Sequence, residues 1–274
     1  MGQQTYLAID VGATKTLFAV FSPDGQIIFK QKIATNPDYA RFKDDIADQL
    51  NGDLAKFNFS HCCIALPGRL DLDKGVGIRF GNLPWQDIPV KADLQGLMPN
   101  TRVIFHNDAK LAGLSEAILL HKKYHKVLYI TLSTGIGGAV IINDIIPADF
   151  AVFEPGAMLF EYEGKEMKWE SFASGKALLA RYGKLASEIE DENTWKAYAK
   201  DLTLGFEDLL ATVQPDVVVI GGGVGAHFEK FQKYLETELK QINNPLVPTP
   251  PLLKAQRPEE AVIYGCYEYI KQNA

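Results

Sequence analysis

Three glycine turns, each placed after an apolar run, carry the chemistry of this chain: Asp10-Val-Gly-Ala-Thr-Lys15-Thr16, Ser133-Thr-Gly-Ile-Gly-Gly-Ala139 and Gly221-Gly-Gly-Val-Gly225. Turns free of bulky side chains let successive backbone N–H groups wrap a polyphosphate. The first two add hydroxyls at Thr14, Thr16, Ser133 and Thr134, and the glycines at Gly12, Gly135, Gly137, Gly221, Gly222 and Gly223 are the expected points of close approach. Asp10 ends a strand-like run, where its carboxylate suits a Mg2+ shared with phosphate oxygens; the same pattern also describes a hairpin whose aspartate caps backbone amides. A Walker A loop is excluded, because no glycine stands four residues ahead of a Gly-Lys pair.

Asn107-Asp108 closes the short apolar run Arg102 to His106, ahead of an alanine- and leucine-rich stretch from Ala109 to Leu120 that reads as a helix. A carboxylate at such a junction in a two-domain α/β protein faces the cleft and can take the proton of an attacking hydroxyl; it suits a helix N-cap equally well. Glu154 in Phe-Glu-Pro-Gly-Ala157 and Glu170 in Lys-Trp-Glu-Ser171 are further candidates for sugar hydroxyls, against the ordinary reading of a lone glutamate as a solvated surface residue. Gly221 to Ala226 also fits the dinucleotide pattern G-x-G-x-x-A, but the segment after the next helix is proline-rich and does not continue a βαβ unit, which leaves an adenosine site or a plain structural turn. The five histidines have no metal spacing and there is no nucleophile elbow; His106 reads as strand-end packing.

The elements that must position these residues follow from periodicity. Tyr6–Asp10, Leu17–Phe21 and Ile27–Lys30 read as an antiparallel meander. Phe42, Ile46, Leu50 and Leu54 recur at helical spacing, and Phe59–Leu66 is a buried strand ending at Pro67-Gly68. From Val127 the order repeats: strand to Leu132, glycine turn over 133–138, strand Ala139–Ile142, a turn at Asn143-Asp144 and a short strand, mirroring residues 6–30. A duplicated unit predicts two similar domains with a ligand cleft between them, set at 1–112 (completed by a C-terminal helix 258–274) and 113–257. The second half is mostly helical, over Phe172–Glu188, Trp195–Val213 and Glu229–Ile242, with a buried strand Val217–Ile220, a loop from Asn244 to Pro251 and a last helix opening at Pro258. Ile263, Tyr264, Tyr267, Tyr269 and Ile270 on that helix suit docking on the first domain or a homodimer.

Composition narrows the partners. A net charge of -6 over 274 residues disfavours a nucleic-acid surface and favours a small-molecule partner. Cys62, Cys63 and Cys266 have no zinc or disulfide spacing. The chain enters its first strand without a leader-like segment, and no apolar stretch is long enough for a membrane span, so a cytoplasmic protein is expected.

Taken in order, these segments resemble the ROK family of sugar kinases, within the actin-like and hexokinase-like ATPases, over nearly the whole chain. Asp10 to Lys15 is similar to the family's first phosphate motif, Ile64 to Asp71 to its sugar-side loop, and Gly81-Asn82-Leu-Pro-Trp85 to the segment after it. Asn107-Asp108-Ala109 through Glu116 resembles the catalytic segment, Ser133 to Ala139 the second phosphate motif, and Val219 to Gly225 the adenosine motif.

The resemblance implies an α/β fold of two actin-like (ribonuclease H-like) domains, with mixed sheets flanked by helices and an interdomain cleft. It implies ATP and Mg2+ as cofactors, with Asp108 as the general base on a sugar hydroxyl, typically the 6-hydroxyl. Gly68, Asn82, Asn107, Glu154 and Glu170 would hold the sugar, Asp10, Gly12, Thr14, Lys15 and Thr16 the metal and phosphates, and a glucokinase-like role in carbohydrate metabolism would follow. Inorganic polyphosphate as donor, or a sugar-binding regulator without turnover, are the alternatives. Two departures stand out. Ala157 replaces the histidine that in the family contacts sugar and zinc, and Glu163 to Trp169 replaces the cysteine-rich zinc loop, so no zinc is expected and Trp169 and Phe172 are expected to hold the segment before Glu170.

Overall fold

A computed structural model describes residues 4–242, 246–257 and 259–274. The chain divides into two compact units, Met1–Ser115 with Glu260–Ala274, and Glu116–Glu259.

In the first unit, β1 (Gln4–Val11), β2 (Lys15–Phe21), β3 (Ile27–Ala34), β4 (Asn58–Leu66) and β8 (Arg102–Asn107) form one sheet in the order β3-β2-β1-β4-β8. β1 to β3 pair antiparallel, while β4 and β8 join in parallel, so the strands bearing Asp10, Leu66 and Asn107 end along the same edge. Helix α1 (Tyr39–Asn51) is capped by Asp38, whose carboxylate accepts from the N–H groups of Ala40 and Arg41, and buries Phe42 and Ile46. Leu54 lies beyond that helix, yet it is buried in the same core. The glycine-rich stretch after β4 contains more than a loop: β5 (Arg69–Asp71), β6 (Val76–Arg79) and β7 (Gln86–Ile88) make a small antiparallel sheet, followed by α2 (Val90–Leu97). Runs of three or four residues are too short for a periodicity signal.

Helix α3 (Asp108–Leu119) leads out of β8, and α9 (Ala261–Asn273) returns to pack on β1 and β4. Ile263, Tyr267 and Ile270 are buried there, and Tyr267 stacks on Phe21 at 5.0 Å. The helix face is therefore covered within its own unit. It begins at Ala261, not at Pro258, which lies outside the described residues, as do Asn244 and Pro245 of the expected loop.

In the second unit, β9 (Lys126–Leu132) and β10 (Ile136–Ile142) form a hairpin extended by β13 (Val217–Gly221) and β14 (Leu252–Lys254), in the order β10-β9-β13-β14. The copy of the first meander is incomplete. After Asn143 and Asp144, whose positive φ angles of 52° and 62° make the tight turn, a single bridge from Ile142 to Ile145 stands where a third strand was expected. The expected turn over 133–138 also shortens to 133–135, because Gly137 and Gly138 belong to β10.

The segment in place of the zinc loop is a hairpin of β11 (Leu159–Tyr162) and β12 (Lys165–Lys168). The long helix expected over 172–188 is two, α4 (Trp169–Ala173) and α5 (Gly175–Tyr182), because Ser174 leaves helical geometry and caps α5 through the Ala177 N–H; Gly183, left-handed at φ 68°, ends it. Helix α6 (Glu192–Val213), the short turn α7 (Gly222–Gly225) and α8 (Phe228–Gln241) complete the layer around a core that includes Trp169, Trp195, Tyr198 and Phe206. No helix among the described residues is long and apolar enough to cross a membrane.

Two helical glycines separate packing from propensity. A Cβ on Gly265 would run into the Leu111 carbonyl, so α9 approaches α3 backbone to backbone; a Cβ on Gly96 in α2 meets nothing within 4 Å. Gly265→Ala is expected to cost about 1–3 kcal/mol and Gly96→Ala to cost nothing or to gain up to ~1 kcal/mol, read from urea unfolding midpoints.

Candidate active site

Asp10 is the penultimate residue of β1, next to the turn that the Gly12 N–H fastens by donating to the Lys15 carbonyl at 3.0 Å. The Thr14 carbonyl accepts from the Thr35 N–H at 3.1 Å, which ties this turn to the end of β3. Thr14 and Lys15 are exposed, as a phosphate turn requires. Thr16 is not: it belongs to β2, is fully buried, and pairs its hydroxyl with that of Thr35 at 2.9 Å. Its side chain holds the sheet together and offers nothing to a ligand. The alternation of a strand begins at Lys15, which sends alternate side chains to opposite faces.

Asn107 ends β8 and is the cap of α3. Its Oδ1 accepts from the Lys110 N–H at 3.3 Å, while its Nδ2 donates to the Gly68 carbonyl at 3.0 Å. One buried side chain thus fixes both the start of the helix and the loop after β4. The cap role left open for Asp108 falls to Asn107, and Asp108 occupies the first helical turn, half-buried, with Oδ1 accepting from the Ala109 N–H at 2.8 Å. Gly68 has φ 95°, and a Cβ there would enter the Arg79 carbonyl, so only glycine fits. Asn82 is exposed on the segment anchored by Trp85, whose indole N–H donates to the Pro37 carbonyl at 2.9 Å.

Asp10 and Asp108 feel one another. Burial foremost, and then the negative charge of Asp108, push the Asp10 carboxyl up to about 7, with Lys32 acting in the opposite direction. A hard divalent cation beside Asp10 would relieve this cost of ionising it. Among the described residues no cluster of three or more His, Cys, Asp or Glu could hold a metal alone.

In the second unit the turn after β9 is closed by the Ser133 N–H donating to the Gly135 carbonyl at 2.9 Å, and the Ser133 carbonyl accepts from Gly175, the first residue of α5, at 2.7 Å. Thr134 is exposed at its tip. Glu170, in the first turn of α4, lays Oε2 on this turn: a Cβ on Gly135 would lie 2.8 Å from it, and a Cβ on Gly156 3.2 Å. A Cβ on Gly156 would also enter the Ile136 carbonyl. Glu170, Gly135 and the Glu-Pro-Gly segment therefore form one cluster, with Glu154 exposed two residues before Gly156. Gly137 lies in β10, outside the turn.

The third glycine run is a strand end and a helical turn. Gly222 has φ 84°, and its added Cβ would sit 2.5 Å from the Leu132 carbonyl; that of Gly221 would sit 2.5 Å from the Tyr129 hydroxyl; Gly223 is open. A Cβ on Gly175 would lie 2.9 Å from Val224, which brings the second and third runs together around the start of α5. Sequence reasoning did not single out Gly175 or Gly156. Gly156 lies inside Phe-Glu-Pro-Gly-Ala157 and Gly175 follows Ser174, and close backbone contact leaves no periodic mark at either.

With this geometry in place, the chain belongs to the ROK family, whose model matches residues 6–273. It is similar to the kanosamine kinase of Amycolatopsis mediterranei, 27% identical over an alignment of length 255 that covers 82% of each chain. The xylose repressor of Bacillus subtilis is 28% identical over 184 residues, 59% of this chain and 47% of that protein. The fold matches a ROK glucokinase of Streptomyces griseus, solved with glucose and AMPPNP, at a TM-score of 0.81 and 22% identity, covering 98% of this chain and 99% of that one.

His106 provides a pH test of the junction. Its Nδ1 accepts from the Asn107 N–H at 2.9 Å and its ring meets Tyr269 edge-on, while burial and then Lys110 lower its pKa to about 4. The folded state binds this proton less readily than the unfolded one, so stability falls as pH drops below about 6.5 and the loss is complete near 4. His106→Asn is expected to remove a pH-dependent term of up to about 3 kcal/mol over that window, measured by urea unfolding at pH 4.5 and 7.

Proposed function

We propose that the chain is a sugar kinase that transfers the γ-phosphoryl group of ATP to a hydroxyl of a hexose or amino sugar, the 6-hydroxyl in a hexose. The observation that carries this reading is the Asn107-Asp108 junction: a half-buried carboxylate set by a capped helix start, beside the half-buried Asp10 whose charge it perturbs. Asp108 accepts the proton of the attacking hydroxyl, while Asn107, Gly68 and Asn82 bind the sugar from the loop that Asn107 fastens. Glu154 and Glu170 bind sugar hydroxyls from the second unit. Thr134 and Gly135 bind phosphate, as do Gly12, Thr14 and Lys15, and Gly221 to Gly223 take the adenosine. Asp10 would hold Mg2+, which neutralises charge on the phosphates when bound. The kanosamine kinase and the glucokinase likenesses support a sugar as acceptor.

Ala157 bears on which sugar. Its side chain is exposed and cannot hydrogen-bond, so one polar contact to the ring is missing compared with family members carrying histidine there. If unreplaced, that is worth about 0.5–1.5 kcal/mol in sugar affinity. A second reading, a sugar-responsive regulator without turnover, is favoured by the likeness to the xylose repressor.

ADP release over glucose, mannose, N-acetylglucosamine and N-acetylmannosamine separates the two. A kinase gives sugar-stimulated turnover, and Asp108→Asn lowers kcat by about 10²–10⁴-fold with little change in sugar binding. Turnover at the wild-type rate in Asp108→Asn, or none with any sugar in the wild type, contradicts the proposal.

A further inference from the structure

Glu170 belongs to a five-residue helix, α4, too short to hold its own position. What fixes it is a polar group on neighbouring elements. Asp201, buried in α6, receives Arg181 at 2.5 Å on Oδ2 and the Tyr162 hydroxyl at 2.9 Å on Oδ1, while Arg181 also donates to the Tyr162 hydroxyl at 2.9 Å. Each member then reaches α4. The Tyr162 ring stacks on Phe172 at 4.1 Å with the planes 8° apart, Arg181 donates to the Phe172 carbonyl at 3.3 Å, and the Trp169 indole N–H donates to the Asp201 carbonyl at 3.3 Å. Trp169 and Phe172 flank Glu170 in sequence, and both are buried.

We propose that Tyr162, Arg181 and Asp201 are positioning residues that set the Glu170 carboxylate against Gly135 and Gly156, and so govern sugar affinity without touching sugar. The proposal rests on the reading of Glu170 as a sugar ligand. A planar guanidinium, a carboxylate and a phenol satisfying one another in a partly buried place restrict α4 to one arrangement, where apolar packing alone would tolerate several. The polar geometry is specific: the ring stack survives loss of the phenol oxygen, but the link from Asp201 and Arg181 to β11 does not.

The test is a double-mutant cycle on the full chain between Tyr162→Phe and Glu170→Gln, with Asp201→Asn as a second network variant, reading KM for sugar, KM for ATP, kcat and thermal unfolding. Whichever of the four sugars named above gives the best wild-type turnover is the probe. Tyr162→Phe, which keeps the stack and the fold, is expected to raise KM for that sugar about three- to tenfold with KM for ATP unchanged. Combined with Glu170→Gln it is expected to add no further rise, because both act through the same carboxylate. A Tyr162→Phe variant with unchanged sugar KM, or an effect that simply multiplies with that of Glu170→Gln, overturns the positioning role while leaving Glu170 a ligand. If Glu170→Gln itself leaves sugar KM unchanged, the reading of Glu170 fails and the proposal falls with it.

Discussion

The Asn107 side chain is the constraint on which the first unit's chemistry depends. Its amide has one donor aimed at the Gly68 carbonyl and its oxygen aimed at the Lys110 N–H, so one residue sets where α3 begins and where the loop after β4 lies. Because Asn107 does the capping, the Asp108 carboxyl group occupies the first helical turn, half-buried, at the end of the helix whose free N–H groups favour negative charge. The strand order brings Asp10 to the same sheet edge, where burial first, and after it the negative charge of Asp108, raises its pKa.

The second unit is organised by close backbone approach. Gly135, Gly156, Gly175 and Gly222 each sit where a Cβ would meet a carbonyl, a carboxylate or a side chain, so the turn after β9, the Glu-Pro-Gly segment, the start of α5 and the end of β13 converge with no room for larger residues. Glu170 is fixed at this convergence, and the polar group of Tyr162, Arg181 and Asp201 stands behind it. The hairpin of β11 and β12 is joined to the core through that group and the Tyr162–Phe172 stack, as well as through Trp169.

Most of the architecture was legible in the sequence because long strands and the helices α6 and α8 carry strong periodic patterns. Where the reading departed from the structure, the cause was local. Asn143 and Asp144 make a hairpin turn as expected, but the residues after them form one bridge only, since Pro147 cannot donate within a strand. Ser174 divided a helix that the apolar spacing ran through, because its hydroxyl caps the next turn. Thr16 was placed at the phosphate turn by composition, whereas strand alternation buries it against Thr35. Asp108 and Glu170 were visible as residue types beside turns. Gly68 was visible too, as the glycine after Pro67, but the Asn107–Gly68 bond and the approach of Glu170 to Gly135 and Gly156 join residues distant in sequence and leave no pattern to read.

The fate of the γ-phosphoryl group tests the central claim most directly. With ATP labelled on that group, a hexose or N-acetylhexosamine and Mg2+, the label should appear in the sugar as a phosphate ester in step with ADP. Label found only in unreacted ATP or in inorganic phosphate, with every sugar of the panel, would contradict a sugar kinase.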